Sequence, residues 1–350
     1  MPCWASSRTP SGVIATRFSL FLISRGTPTR RAIPNLATST ISLPTMTPAP
    51  RIAVAPAGER PWLADAVVAA GGLVVDPHEA EGVVWASTGG ASHLRALLDA
   101  EPGIRWVQLP WAGIEPFVEV LDDAHTWTCG KGVYAVPVAE HALMLALAGL
   151  RGLGTYARAS SWSGPLGENL VGAAVTILGG GGITEALLPL LAPFGGRVTV
   201  VRRHPAPIEG ADEVIGVDRL LEALPGRRLV VLALALTDET RGIIDGSALS
   251  AMDEDAWLVN VARGAHVVTD DLVAAVQAGT IGGAALDVTD PEPLPDGHPL
   301  WSLPNVLITP HVGNTPEMAV PLLSARITEN TRRFAADEAL LGPVDPALGY

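Results

Sequence analysis

The sequence predicts an α/β protein built from two doubly wound parallel sheets, and three observations carry that prediction. From Arg51 onward, short apolar runs alternate with helical stretches, the order expected of β-α-β units. The runs are rich in Val, Ile and Leu and do not alternate with polar residues, as in strands covered on both faces by helices. A long apolar stretch, PVAEHALMLALAGLRGL, separates two such series, so the chain divides into two α/β units.

In the first series RIAVA, GLVVD, GVVWA and IRWVQL read as strands, with PWLADAVVAAGG and SHLRALLDA as helices between them. The long stretch at 137–153 is charged at its start, so it reads as a core or domain-bridging helix and not a membrane span. AAVTILG, RVTVV, RLVVLALAL, AWLVNVA, GGAALDV and NVLITP form the second series of strands. The closing PEMAVPLLSARITENTRRFAADEALL reads as a helix. No internal repeat interrupts this order.

Composition narrows the function classes. The 350 residues hold 23 Lys and Arg against 36 Asp and Glu, a formal charge of −13. Such an acidic surface repels phosphate backbones, which argues against nucleic acid or an anionic membrane as partner. Cys3 and Cys129 lie far from a second Cys or a His at ligand spacing, so neither a disulfide framework nor a metal site is readable. The expected location is the cytoplasm. Residues 1–45 differ from the rest: they carry Arg8, Arg17, Arg25, Arg30 and Arg31, many Ser and Thr, and no acid. This resembles an organellar transit peptide. The plainer reading is an upstream extension, disordered or non-native, with Met46 as the true start. The 22 arginines against the single Lys131 look like GC-rich coding and favour that reading.

Two places carry chemistry. AAVTILG runs directly into Gly179-Gly180-Gly181-Gly182-Ile183-Thr184 and then into a helix. Glycines at a strand-to-helix turn let the backbone approach a pyrophosphate, whose charge sits at the helix N-terminus. Gly179 would make the tight turn and Gly181 the close approach, with Thr184 departing from the glycine of the third position. Alone, this two-of-three match also suits a glycine-rich turn without ligand. After the next strand, where an NAD site places a carboxylate, stand Arg202, Arg203 and His204. A guanidinium there pairs with a 2′-phosphate, so NADP(H) is expected, with NAD(H) as the lesser option; a solvated basic turn is the plain alternative. The second place is a set of strand ends: Arg263 in NVARG, Glu292 in LDVTDPEPLP and His311 in ITPHVG. Singly, they read as a surface charge, a loop acid and a loop His. Together they supply an anion clamp, an orienter and an acid/base.

With those residues in view, the chain resembles the D-isomer-specific 2-hydroxyacid dehydrogenase family over 51–345. The matching stretches, in order, are WVQLPWAGIE, VAEHALMLALAGLR, NLVGAAVTILGGGGI, LALTDETRGIID, LVNVARGAHVVTDDLVAAVQAG, GGAALDVTDPEPLPDGHPLW and NVLITPHVG. The resemblance, to the glyoxylate/hydroxypyruvate reductase-like branch, implies a Rossmann nucleotide-binding domain at 143–312. That domain would be inserted in a flavodoxin-like substrate domain of 51–142 plus 313–350. It implies that Arg263 binds the substrate carboxylate and polarises the C2 carbonyl, that His311 donates the proton, and that Glu292 orients His311. The backbone amides of Ala112 and Gly113 would hold the carboxylate, and Trp111 and Trp301 could shape the pocket or simply pack. Gly179, Gly181, Gly182, Ile183, Arg202, Arg203, Thr237 and Asp287 would line the cofactor, Asp287 beside the nicotinamide carboxamide. Ala235 stands where the family turn before Thr237 has a proline. His141 and His298 also match family positions and read as structural. His78, His93, His125, His204 and His266 have no catalytic logic.

The expectation is therefore NADPH-preferring reduction of a small 2-oxoacid to the D-2-hydroxyacid by a homodimer. Two alternatives stay open. A phosphoglycerate dehydrogenase-like enzyme would need more basic residues near the WAGIE loop than Arg105 supplies. A non-catalytic nucleotide-sensing scaffold of the same fold would bind partner proteins instead.

Overall fold

The computed structural model describes residues 48–348. The expectation for residues 1–45 lies outside the described residues. The first sheet is built from β1 (Arg51–Ala55), β2 (Leu73–Val74), β3 (Gly82–Trp85), β4 (Trp106–Gln108) and β5 (Thr126–Thr128), with helices α1 (Pro61–Ala69) and α2 (Ala91–Ala100). Its strands are all parallel in the order β2-β1-β3-β4-β5, so the winding reverses between β1 and β3. Along these strands the two faces alternate. Ala53, Val83 and Trp85 pack on one side with Leu94 and Leu98 of α2, while Ile52 and Val84 pack on the other with Leu63 and Val67 of α1. Burial of both faces explains why the sequence shows continuous apolar runs.

Helices α3 (Ala135–Leu150) and α4 (Leu153–Arg158) lead to the second sheet. The long helix expected over 137–153 breaks where Gly152 adopts a left-handed φ of 62°. The second unit comprises β6 (Val175–Leu178), α5 (Gly182–Leu191), β7 (Val198–Val201), β8 (Glu213–Ile215), β9 (Leu229–Leu232), α6 (Gly246–Ser250), β10 (Trp257–Asn260), α7 (Thr269–Ala278), β11 (Gly283–Leu286) and β12 (Val306–Ile308). Its seven parallel strands run β12-β11-β10-β9-β6-β7-β8, a Rossmann winding that reverses between β6 and β9. The first sheet has the flavodoxin-like order. Ile177, Val200, Val231 and Val259 face α3 and α5, and Leu178, Val230, Leu232 and Leu258 face α6 and α7.

Helix α8 (Pro316–Ala335) returns to the first sheet, packing Leu323 and Ile327 against Ile52, Leu63, Val67 and Trp106. It stops six residues before the expected end of the helical stretch, because the chain turns through Asp337 at a φ of 55°. The tail then lies along β5: the Cys129 amide donates to the Gly342 carbonyl, and the Val344 amide to the Trp127 carbonyl. The sequence reading missed β5 and β8. Both are three-residue edge strands, TWT and EVI, without the apolar run that marks a central strand. No helix among the described residues is long and apolar enough to cross a membrane.

Candidate active site

Because the second sheet is parallel, β10, β11 and β12 end at one edge, and the loops leaving them carry Arg263, Glu292 and His311. Asn260, buried at the end of β10, shapes the first loop: its Oδ1 accepts from the Ala262 amide at 3.0 Å and its Nδ2 donates to the Arg263 carbonyl at 2.9 Å. The Arg263 guanidinium then reaches the first sheet's WAGIE loop. Nε donates to Glu115 Oε1 at 2.9 Å, and Nη1 donates to the Ala262 carbonyl at 2.7 Å. Gly113 is packed so closely on Arg263 Nη2 that a Cβ there would overlap it. Arg263 therefore spans the two sheets.

His311 adopts a left-handed φ of 53°, unusual for a residue with a Cβ. Its amide donates to the Asp287 carbonyl at 2.8 Å, and its Nδ1 lies 2.7 Å from Glu292 Oε1. Among the described residues Nε2 has no hydrogen-bond partner, so it is the ring atom free to exchange a proton. The loop is held from below by Asp287. Its carboxylate accepts from Thr309 Oγ1 at 2.5 Å and from the Val312 and Gly313 amides at 2.9 Å each, with His141 Nε2 of α3 at 3.1 Å. Burial alone would raise the Asp287 carboxyl, but these contacts outweigh it and hold it down at about 2. Expected as a cofactor contact, Asp287 is only 4% exposed and spends its oxygens on its own chain. His141 serves structurally, as read, by tying α3 to this staple. His298 does so too, accepting from the Leu300 amide at 3.3 Å.

The glycine loop fits a dinucleotide. Gly179 has a φ of 108°, and a Cβ would run into the Ala233 backbone, so the tight turn requires glycine there. At Gly181, immediately before α5, a Cβ would meet nothing within 4 Å, which leaves an open cradle at a helix N-terminus. Gly182 lets α5 approach Ala135 of α3, and Ile183 packs against the buried cluster beneath α5. Thr184, the departure from glycine, is fully buried and donates from Oγ1 to the Gly179 carbonyl at 2.8 Å, bracing the turn. Arg202 lies across Gly180, whose Cβ would come within 2.8 Å of its Cδ. Arg203 is instead paired with Glu239 at 2.6 Å. That pair joins the loop after β7 to the turn containing Thr237, where the Thr237 amide donates to Thr240 Oγ1 at 2.8 Å.

Two groups at the substrate loop escaped the sequence reading. Glu115 was visible as a charge in WAGIE, but its partner lies far along the chain. Arg60, just past β1, places its guanidinium 4.5 Å above the Trp111 ring, whose other neighbour is the Tyr134 ring at 6.3 Å. Arg105 is not near the loop. It precedes β4, at the opposite end of the strand, 4.9 Å from the Phe334 ring and facing Glu81. Trp301 is half exposed, and its Nε1 donates to the Pro295 carbonyl at 3.0 Å.

Residues 141–313 match the family model described as "D-isomer specific 2-hydroxyacid dehydrogenase, NAD binding domain". The chain is similar to the crystal structure of a D-isomer specific 2-hydroxyacid dehydrogenase from Xanthobacter autotrophicus Py2 in complex with NADPH and MES. The TM-score is 0.74 at 30% identity, covering 86% of this chain and all of that one. It is 42% identical over 260 residues to the "uncharacterized protein in proB 3'region" of Corynebacterium melassecola, covering 72% of this chain and 86% of that protein. It is also 36% identical over 178 residues to a glyoxylate/hydroxypyruvate reductase A of Yersinia enterocolitica. That match spans 50% of this chain and only 56% of the relative.

Proposed function

The chain belongs to the D-isomer-specific 2-hydroxyacid dehydrogenase family, NAD(P)-dependent oxidoreductases acting on a CH–OH group, and from that premise we propose that it reduces a small 2-oxoacid to the D-2-hydroxyacid with NADPH preferred. One observation carries the reading. Arg263, pressed against Gly113, and the His311–Glu292 pair at 2.7 Å leave neighbouring strands at one edge of the nucleotide-binding sheet.

In this reading Arg263 and the amides of Ala112 and Gly113 bind the substrate carboxylate, a charge-assisted contact that fixes the acid's orientation. His311 gives the proton on Nε2 to the carbonyl oxygen, while Glu292 holds the ring through Nδ1. A bound nicotinamide cofactor would supply the hydride that the carbonyl carbon accepts. Gly179, Gly181, Gly182 and Ile183 form its pyrophosphate cradle. Thr237 would line the cofactor at the neighbouring turn, and Asp287 holds the His311 loop in place. Arg202 at the glycine turn, with Arg203 next to it, supports binding of a 2′-phosphate and hence the NADPH preference.

We place the substrate domain at 51–142 plus 313–350 and the nucleotide domain at 143–312, in a cytoplasmic homodimer. Leu153 on α4, and Trp162 and Val171 in the chain that follows it, are exposed apolar side chains available to a second copy. The test is NADPH and NADH oxidation by the purified protein across a panel of 2-oxoacids, including glyoxylate and hydroxypyruvate. Absence of turnover with every member would refute the reading.

A further inference from the structure

One cation beside the substrate loop has no task in the reaction just described. Arg60 leaves the C-terminal end of β1 and Trp111 that of β4, the edge at which a doubly wound sheet binds ligands. The Arg60 guanidinium lies over the Trp111 ring and forms no ion pair among the described residues; its Nη1 is buried without a hydrogen-bond partner. The Tyr134 hydroxyl, on a ring 6.3 Å from that of Trp111 and in electrostatic reach of Arg60, is likewise buried and unpartnered. Burial works against the charge on Arg60 and against ionisation of Tyr134, so both are donors in a partly desolvated corner. Arg326 adds positive charge there: it is bound to the carbonyls of Cys129 and Lys131 and acts electrostatically on Tyr134. Stranded buried donors are costly unless something accepts from them, and a carboxylate or phosphate oxygen is the strongest acceptor available.

We propose that Arg60, with the Tyr134 hydroxyl as second donor, forms a subsite for a second anionic group at the far end of the 2-oxoacid. The inference rests on Arg263 holding the acid's own carboxylate. Trp111, under Arg60, and Gly113, against Arg263, are two residues apart, so their Cα atoms are separated by at most about 7 Å. Both cations therefore flank the same short loop. Trp111 is then the floor between the two cations. The same subsite changes the weight of the phosphorylated-substrate alternative, since the basic residue missing from the sequence reading stands at the loop after all.

The experiment compares kcat/KM for chain-matched pairs in the wild type, Arg60→Met and Arg60→Gln: oxaloacetate with 2-oxobutanoate, 2-oxoglutarate with 2-oxopentanoate, and 3-phosphohydroxypyruvate with hydroxypyruvate. The wild type should favour the anion-tailed member of at least one pair by tenfold or more. Both variants should lose tenfold or more of that ratio, mainly through KM, and Tyr134→Phe should lose less in the same direction. The pair that responds separates carboxylate from phosphate. A ratio unchanged by both Arg60 variants, or a wild type that favours only neutral tails, overturns the proposal. Should no 2-oxoacid be turned over, the failure belongs to the reaction assignment. Thermal stabilisation by glutarate or inorganic phosphate, over that by butyrate, then decides the subsite. Loss of that stabilisation in Arg60→Met supports it, and an equal shift in wild type and variant refutes it.

Discussion

Replacing Gly113 by Ala tests whether activity depends on how the substrate loop packs on Arg263. A Cβ at this position would overlap Arg263 Nη2, lie 3.2 Å from its Cζ and come within 2.7 Å of Glu115 Oε2. Ordinary contact to these atoms needs about 3.4 Å or more, so the guanidinium has to swing away by roughly 1 Å. Arg263 can do this without unfolding anything, because the obstructed atoms are the far end of a flexible side chain. The Asn260 staple holding the Arg263 backbone is untouched. A misplacement of that size at a clamping residue lowers rate by about 100-fold. The variant should therefore show a kcat/KM for 2-oxoacid down by about 100-fold, a melting temperature within a few degrees of wild type, and unchanged NADPH affinity. Steady-state kinetics, thermal unfolding and coenzyme fluorescence titration measure the three. Full activity in Gly113→Ala would show that the Arg263 position is not what the chemistry depends on. A collapse in melting temperature would show that the loop is a folding element instead.

Removing the acid/base by His311→Ala should lower turnover by roughly 100-fold or more with NADPH binding intact; unchanged rates would take His311 out of the mechanism. Arg202→Asp should move the ratio of specificity constants from NADPH toward NADH, and a ratio that stays put would disconnect Arg202 from the 2′-phosphate. Asp287 titrates at about 2 in the folded chain against about 3.9 unfolded. Its contribution is thus fully present above pH 4 and fades as pH falls through 2. Asp287→Asn should accordingly cost about 2 kcal/mol at pH 7, with the gap to wild type narrowing toward pH 3 in urea titrations. A gap that is constant with pH would mean that the charge of Asp287 contributes nothing.

Some features could be read from the sequence because their cause is local. Central strands such as VTIL and LVVL are buried on both faces, so their apolar runs announce them, and Gly179 marks a turn that a Cβ would block. The edge strands β5 and β8 left no such mark, since each is three residues long with polar residues among them. Thr184 shows the same boundary within one loop. The departure from glycine was plain, but the bond from its hydroxyl to the Gly179 carbonyl needs the turn already folded.

Residue type and order along the chain determined the two wound sheets, the glycine loop, and the presence of Arg263, Glu292 and His311 at strand ends. Only the tertiary structure decided which of the remaining charges meet. Arg105 and Arg60 both flank the first sheet's core, but strand direction sends Arg105 to the far end and Arg60 onto Trp111. Glu115 meets Arg263, and His141 meets Asp287, across long stretches of chain. The physical reason is range: periodicity and turn chemistry act over a few neighbouring residues, whereas a salt bridge or a stacked guanidinium depends on distances that exist only once both sheets are packed.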